Sequence, residues 1–341
     1  MDEKLNQLRE KIESITDPYL KKTFKETEAI KHLVINDENN VVTLIIAIGK
    51  KDDEEEKIIR RNIAKIVKID FGYAGLKLEI EEHKVYNGIT NRPVAFIGIA
   101  SGKGGVGKST VTANIAYRLS KKGYHVGIID ADIYGSSIPT ILEMEHRNPS
   151  MDNNKKIIPL SKNNIEVIST EFFTKPGQAV IWRGGMLNSM LNHFFYDVKW
   201  DENLSVMLID LPPGTGDVSL DIKNFVPQAK MIIVTTPHPA ASFVAVKAGY
   251  AAKSLGHDLL GVIENMSYYL NPANNHKEFI FGEGGGLKTA VNLETELLCQ
   301  IPINQPLHHQ SLYEIDEEIG KIYDDLADDL IFKMDIKKSL N

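Results

Sequence analysis

Val94-Ala95-Phe96-Ile97-Gly98-Ile99-Ala100 is followed, after Ser101, by Gly102-Lys103-Gly104-Gly105-Val106-Gly107-Lys108-Ser109-Thr110. The first segment is an apolar run of strand length. The second fits G-x-x-x-x-G-K-[ST], and Val111, Ile115, Ala116 and Leu119 then recur at helical spacing. Strand, glycine-rich loop and helix in that order build a phosphate cradle. The glycines let the backbone turn its N–H groups toward an anion at the helix N-terminus, where Lys108 reaches the terminal phosphates and Ser109 holds magnesium. Gly102 to Thr110 are therefore the expected nucleotide-binding residues, with ATP and Mg as ligands.

Working outward, short apolar runs alternate with helical segments from Val94 onward. Strands are expected at Val94–Ala100, His125–Ile129, Ile165–Ser169, Leu204–Ile209, Met231–Thr235, Leu259–Ile263 and Leu297–Ile301. Helices are expected near 108–122, 185–196, 241–254 and 312–332. That alternation is the signature of a parallel sheet covered by helices on both faces. Upstream lies a smaller α/β pattern over residues 1–82. It comprises a helix carrying Leu5, Leu8, Ile12 and Ile15, a short second helix begun by Asp17-Pro18, a hairpin of Ala29–Ile35 with Val41–Ile48, a helix over Glu54–Val67, and a strand through Leu76, Leu78 and Ile80. Residues 83–93 lack apolar periodicity and read as a linker, giving a main domain of 94–341. The acidic run Asp52 to Glu56 reads as a solvated helix start.

Composition narrows the function. The chain has 341 residues, 43% hydrophobic and 25% charged, with a net charge of −7. That acidic balance argues against a nucleic-acid footprint over the whole protein. No apolar run approaches the ~20 residues of a membrane span, and no secretory signal is visible. Cys299 is the single cysteine, so no intrachain disulfide can form and a reducing cytoplasm is the expected location.

A phosphate loop needs a carboxylate at a second strand end to organise magnesium and water. Asp210 closes Ser205-Val206-Met207-Leu208-Ile209 and suits the magnesium shell. The Gly-rich loop Leu211-Pro212-Pro213-Gly214-Thr215-Gly216-Asp217 follows it, placed to sense the γ-phosphate. Asp130 and Asp132 end another strand; either can orient water or support the metal, and Asp132 is favoured for water.

Lys103, the extra lysine of the loop, resembles the deviant Walker A of the MinD/Mrp group of ATPases. Five further segments resemble the Mrp branch in order: Ile129-Asp130-Ala131-Asp132-Ile133-Tyr134-Gly135, Trp182-Arg183-Gly184-Gly185-Met186, Ile209 to Asp217, Asn265-Met266-Ser267, and Ile280-Phe281-Gly282-Glu283-Gly284-Gly285. This resemblance covers about residues 94–310. The front unit resembles, more weakly, the small domain related to the iron-sulfur maturation factor SufT that often precedes Mrp proteins.

The resemblance implies an ATP-hydrolysing homodimer in which Lys103 reaches the partner's phosphates and Asn265 helps recognise adenine. The catalytic set it implies is Lys103, Lys108 and Asp132. Solvation of Lys103 and a turn-capping Asn265 are the alternatives the residues leave open. It also implies an iron-sulfur cluster cargo and apo iron-sulfur proteins or assembly factors as partners.

Mrp proteins place a Cys-x-x-Cys pair after Asn-Met-Ser, bridging two subunits. Here the stretch is Tyr269-Leu270-Asn271-Pro272-Ala273-Asn274-Asn275-His276, with Asn271 and Asn274 where thiolates would stand, and amides are poor ligands for iron. Cys299 reads as a structural thiol. His276, His308 and His309 read as solvated side chains and His238 as a turn residue between prolines. The alternative reading is a nucleotide-switched regulator of DNA or a protein partner, without a cluster.

Overall fold

In the computed structural model the described residues are 2–18, 22–27, 29–36, 39–49, 54–82, 89–133, 135–174, 184–214 and 216–338. The chain divides into two compact units, residues 1–86 and 87–341.

The first unit contains α1 (Asp2–Glu13), a two-residue ladder of β1 (Thr16–Asp17) with β2 (Lys22–Thr23), β3 (Ile30–Asn36), β4 (Val41–Ile48), α2 (Glu54–Lys65) and β5 (Gly75–Glu82). Its sheet has the order β3-β4-β5, with β3 antiparallel and β5 parallel to β4. Strand alternation puts Val42, Leu44 and Ile46 into the core, against Leu8 and Ile12 of α1 and Ile59 and Ile63 of α2.

Asp17 does not begin a helix. It lies in the β1–β2 ladder, fully buried, and accepts the Gly49 N–H at 2.7 Å. A carboxylate four residues past the amphipathic α1 has a backbone donor to satisfy at the end of β4, and that long-range bond overrides the local capping signal.

The second unit contains β6 (Ala95–Ser101), α3 (Lys108–Lys121), β7 (His125–Asp130), α4 (Ile138–Ile141), β8 (Leu160–Lys162), β9 (Ile165–Ser169), α5 (Gly184–Tyr196), β10 (Leu204–Asp210), α6 (Asp217–Phe225) and β11 (Lys230–Thr235). Then come α7 (Pro239–Ser254), β12 (Leu259–Leu270), β13 (Lys277–Glu278), α8 (Gly285–Asn292), β14 (Leu297–Ile303) and α9 (Glu318–Lys333). Among the described residues nine strands form one sheet in the order β13-β12-β11-β6-β10-β7-β9-β8, with β14 also on β12. All its ladders are parallel except the short outer strands β8 and β13, which run antiparallel.

Every residue of the central strand β10 is buried, as expected for a strand covered on both faces. Its alternation sends Val206 and Leu208 into one core with α3 and α9, and Met207 and Ile209 into the other with α5 to α8. α3 is buried on nearly every side from Val111 to Ser120, so it is a core helix rather than an amphipathic surface one. The helix expected at 312–332 starts only at Glu318. Before it, Glu317 accepts the N–H groups of Leu307 and Glu314 and holds residues 307–317 as a folded loop. Ile89 and Val94 are buried in the second core, while residues 83–88 of the expected linker lie outside the described residues. Among the described residues no helix is long and apolar enough to cross a membrane.

Candidate functional site

The parallel sheet delivers Ser101, Asp130 and Asp210 to the same edge, at the carboxyl ends of β6, β7 and β10, where open α/β sheets bind ligands. The loop between β6 and α3 turns through Gly105 and Gly107, both left-handed at φ 80° and 82°, a conformation that favours glycine. A Cβ at Gly107 would also come within 2.2 Å of the Asn265 amide nitrogen. With Asp132, Pro212 and Pro213 the loop walls a cleft of about 770 Å3.

Asp210 organises the floor of the cleft. Its Oδ2 accepts from Lys108 Nζ at 2.7 Å and Ser109 Oγ at 2.6 Å, and its Oδ1 from Thr112 Oγ1 at 2.7 Å. Lys108 Nζ also lies 3.4 Å from Asp132 Oδ2. Lys108 and Thr112 sit one helical turn apart on α3 and so face the same strand end.

Asp130 is fully buried; Ser169 donates to its Oδ2 at 2.9 Å, and among the described residues its Oδ1 has no partner. Burial, then the neighbouring Asp210 charge, raises its pKa well above the usual carboxylate value. Burial also raises that of Asp132, with Lys108 pulling the other way. A carboxyl held above its unfolded pKa contributes stability that is complete below the unfolded value and is lost as pH rises through the folded one. Asp130→Asn should therefore melt higher than the parent at pH 8, by roughly 3 °C, with the gap closing toward pH 4 in thermal melts of the nucleotide-free protein.

The site brings Lys108, Ser109, Asp132 and Asp210 together. Lys103 is exposed on the rim, its carbonyl accepting from Ser101 Oγ at 3.1 Å. Asn265 is buried and donates to the Val106 carbonyl at 2.9 Å, against the outside of the phosphate loop. Tyr134, Trp182, Arg183 and Thr215 of the matching segments lie outside the described residues.

Thr112 and Ser169 are site residues that the motif does not announce. The signal for Thr112 was its i+4 spacing from Lys108, and that for Ser169 its place at a strand end. His238 caps α7, its Nδ1 accepting from the Ala240 N–H at 3.1 Å, with Pro239 opening the helix.

The hairpin of β12 and β13 occupies the place of the expected cysteine pair. Asn271 donates to Glu278 Oε1 at 2.8 Å and accepts the Ala273 N–H at 2.9 Å, while Asn274 accepts the His276 N–H at 2.9 Å. Both amides close the turn, and neither fits an iron ligand. Cys299 lies within β14, its thiol pushed up to about 12 by burial, which disfavours the thiolate a metal needs. His308, Asp316 and Glu317 offer ligand atoms within 4.8 Å of one another. However, Glu317 already serves two backbone donors and His308 is paired with Asp316 at 3.1 Å.

Sheet, glycine loop, invading lysine and strand-end carboxylates together define a P-loop nucleotide-binding fold. The ParA family profile, described as NUBPL iron-transfer P-loop NTPase, matches residues 93–330, and the chain belongs to this family. It is 38% identical to the iron-sulfur cluster carrier protein of Bacillus subtilis, over 97% of this chain and 99% of that one. Against the iron-sulfur cluster carrier protein of Mycobacterium tuberculosis the identity is 34%, over 95% and 92%. A nucleotide-binding protein from Archaeoglobus fulgidus, solved in complex with ADP, superposes with a TM-score of 0.52 at 31% identity, covering 69% of this chain and 87% of that one. The cell division ATPase MinD of Pyrococcus furiosus shares the fold, with a TM-score of 0.51 at 20% identity over 70% and 99% of the two chains.

Proposed function

We propose that this chain binds and hydrolyses Mg-ATP as a homodimer, and that nucleotide state governs the hand-over of an iron-sulfur cluster to apo-proteins. The observation that carries the ATP reading is the convergence of Lys108, Ser109 and Thr112 on Asp210, with Asp132 beside the ammonium. Ser109 Oγ and Asp210 Oδ2 are hard oxygen donors meeting at 2.6 Å, a set that suits magnesium. Bound there, magnesium would neutralise charge on the terminal phosphates.

Lys108 would exchange its carboxylate partners for phosphate oxygens, and the loop N–H groups would hold the phosphates at the start of α3. Asp132 would orient the attacking water and take up its proton, a role its raised pKa favours. Lys103, exposed on the rim, is free to meet phosphates of a second copy. For Asn265 we propose adenine recognition, which requires it to release the Val106 carbonyl; held where it is, it supports the loop instead.

The cluster cargo rests on the family and the named relatives. The closed Asn271–Asn274 turn favours a second reading, a nucleotide-switched protein that acts on a protein partner or DNA without a cluster. Anaerobic reconstitution with iron and sulfide, with both elements quantified on the parent and on Cys299→Ser, separates the two. Stoichiometric cluster lost in Cys299→Ser establishes carriage through a site shared between subunits; none on either protein leaves the cluster-free switch.

A further inference from the structure

Glu264 is a buried carboxylate that the nucleotide site does not use. It is fully buried in β12, and among the described residues no lysine, arginine or histidine pairs with it. Its Oε1 accepts from Ser267 Oγ at 2.6 Å and from Gln300 Nε2 at 2.7 Å, and its Oε2 accepts the N–H of Gly286 in the first turn of α8. One side chain therefore ties the middle of β12 to β14 and to the start of α8.

The contact with α8 is close. A Cβ on Gly286 would lie 2.5 Å from the Glu264 Cβ, and one on Gly285 would lie 2.3 Å from the Pro237 carbonyl oxygen. Only glycines at both positions let the helix seat against these groups.

The next residue, Asn265, reaches the phosphate loop: its amide donates to Val106 and blocks any side chain at Gly107. Met266 follows in the left-handed region at φ 55°, a conformation that a non-glycine side chain holds only when its surroundings impose it. Three consecutive residues thus join the phosphate loop to α8 with no intervening flexible segment. α8 in turn presents Leu287 and Val291 to solvent, 55% and 68% exposed.

We propose that Glu264 is a positioning residue that couples the phosphate loop to α8, so that occupation of the loop is read out as a change at the Leu287–Val291 surface. The inference rests on the nucleotide-site reading above. The coupling acts equally in both directions, so anything that docks on α8 and shifts it changes nucleotide affinity by the same factor.

Glu264→Gln keeps the volume but places an N–H2 donor among three donors, which opposes the three-way tie. The test combines calorimetric titration with Mg-ADP and a non-hydrolysable ATP analogue with hydrogen exchange of residues 285–292, bound and free. In the parent, exchange in α8 should change on binding by about fivefold or more. In Glu264→Gln the nucleotide should still bind while the α8 response is lost, and Ser267→Ala, which removes one donor, should reduce that response.

A parent that binds nucleotide with no change in α8, or a Glu264→Gln protein that keeps the full response, overturns the coupling alone. A parent that binds no nucleotide overturns the site reading as well, and the titration reports this directly. Should Glu264→Gln fail to fold, Ser267→Ala decides, and a full parental response in it overturns the proposal.

Discussion

Lys108→Ala is expected to reduce Mg-dependent phosphate release by roughly a thousandfold or more, the scale seen when a preorganised positive group is removed from a charge-developing transition state. The ammonium is 6% exposed and sits 2.7 Å from the fully buried Asp210. At this nearly buried position solvent screens the pair only weakly. The same substitution should destabilise the nucleotide-free protein, because Asp210 keeps Ser109 and Thr112 but loses its counter-ion, at a cost of about 3 kcal/mol. Steady-state phosphate release and urea unfolding measure the two effects separately. Full hydrolysis by Lys108→Ala would remove the enzymatic reading, whatever its stability.

Asp132→Asn should separate chemistry from binding. The carboxyl lies beside the Lys108 ammonium, on the cleft wall, and burial raises its proton affinity. Loss of a general base costs typically about a hundredfold to ten-thousandfold in rate. The asparagine keeps the side-chain shape, so nucleotide affinity should change by less than about tenfold. Rapid-quench turnover with a parallel nucleotide titration checks both. An unaffected rate would remove the water-orienting role from Asp132 and leave Asp130, the other acid at that strand end, to be tested in the same way.

The phosphate loop and the strands around it are legible because each rule agrees there: an apolar run, glycines where φ is positive, then a helical repeat. The strand-end acids Asp210 and Asp130 follow from the same alternation. What was hidden depends on partners distant in sequence. Gly284 precedes α8 and Gly285-Gly286 open it, a run that disfavours helix; glycine at 285 and 286 lets the helix seat against Pro237 and Glu264. Asp17-Pro18 carries a good capping signal, yet Asp17 serves Gly49, 32 residues away. α9 starts later than the apolar pattern suggests: Leu312 and Tyr313 are buried as a helical face would be, while Glu317 holds them in a loop. The amides at Asn271 and Asn274 could be read as poor ligands from type alone, but their use in closing the turn required the hairpin geometry.

α3 is enclosed by sheet, α4 and α9, and Arg118 on it is pinned to Asp324 of α9 at 2.8 Å. A helix held on all sides behaves as a fixed post, and the phosphate loop is mounted on its end. Under the proposed turnover, any rearrangement is expected away from that post. The path from Gly107 through Asn265 and Glu264 to α8 is where such a change would be read, while the post and the phosphates stay in register.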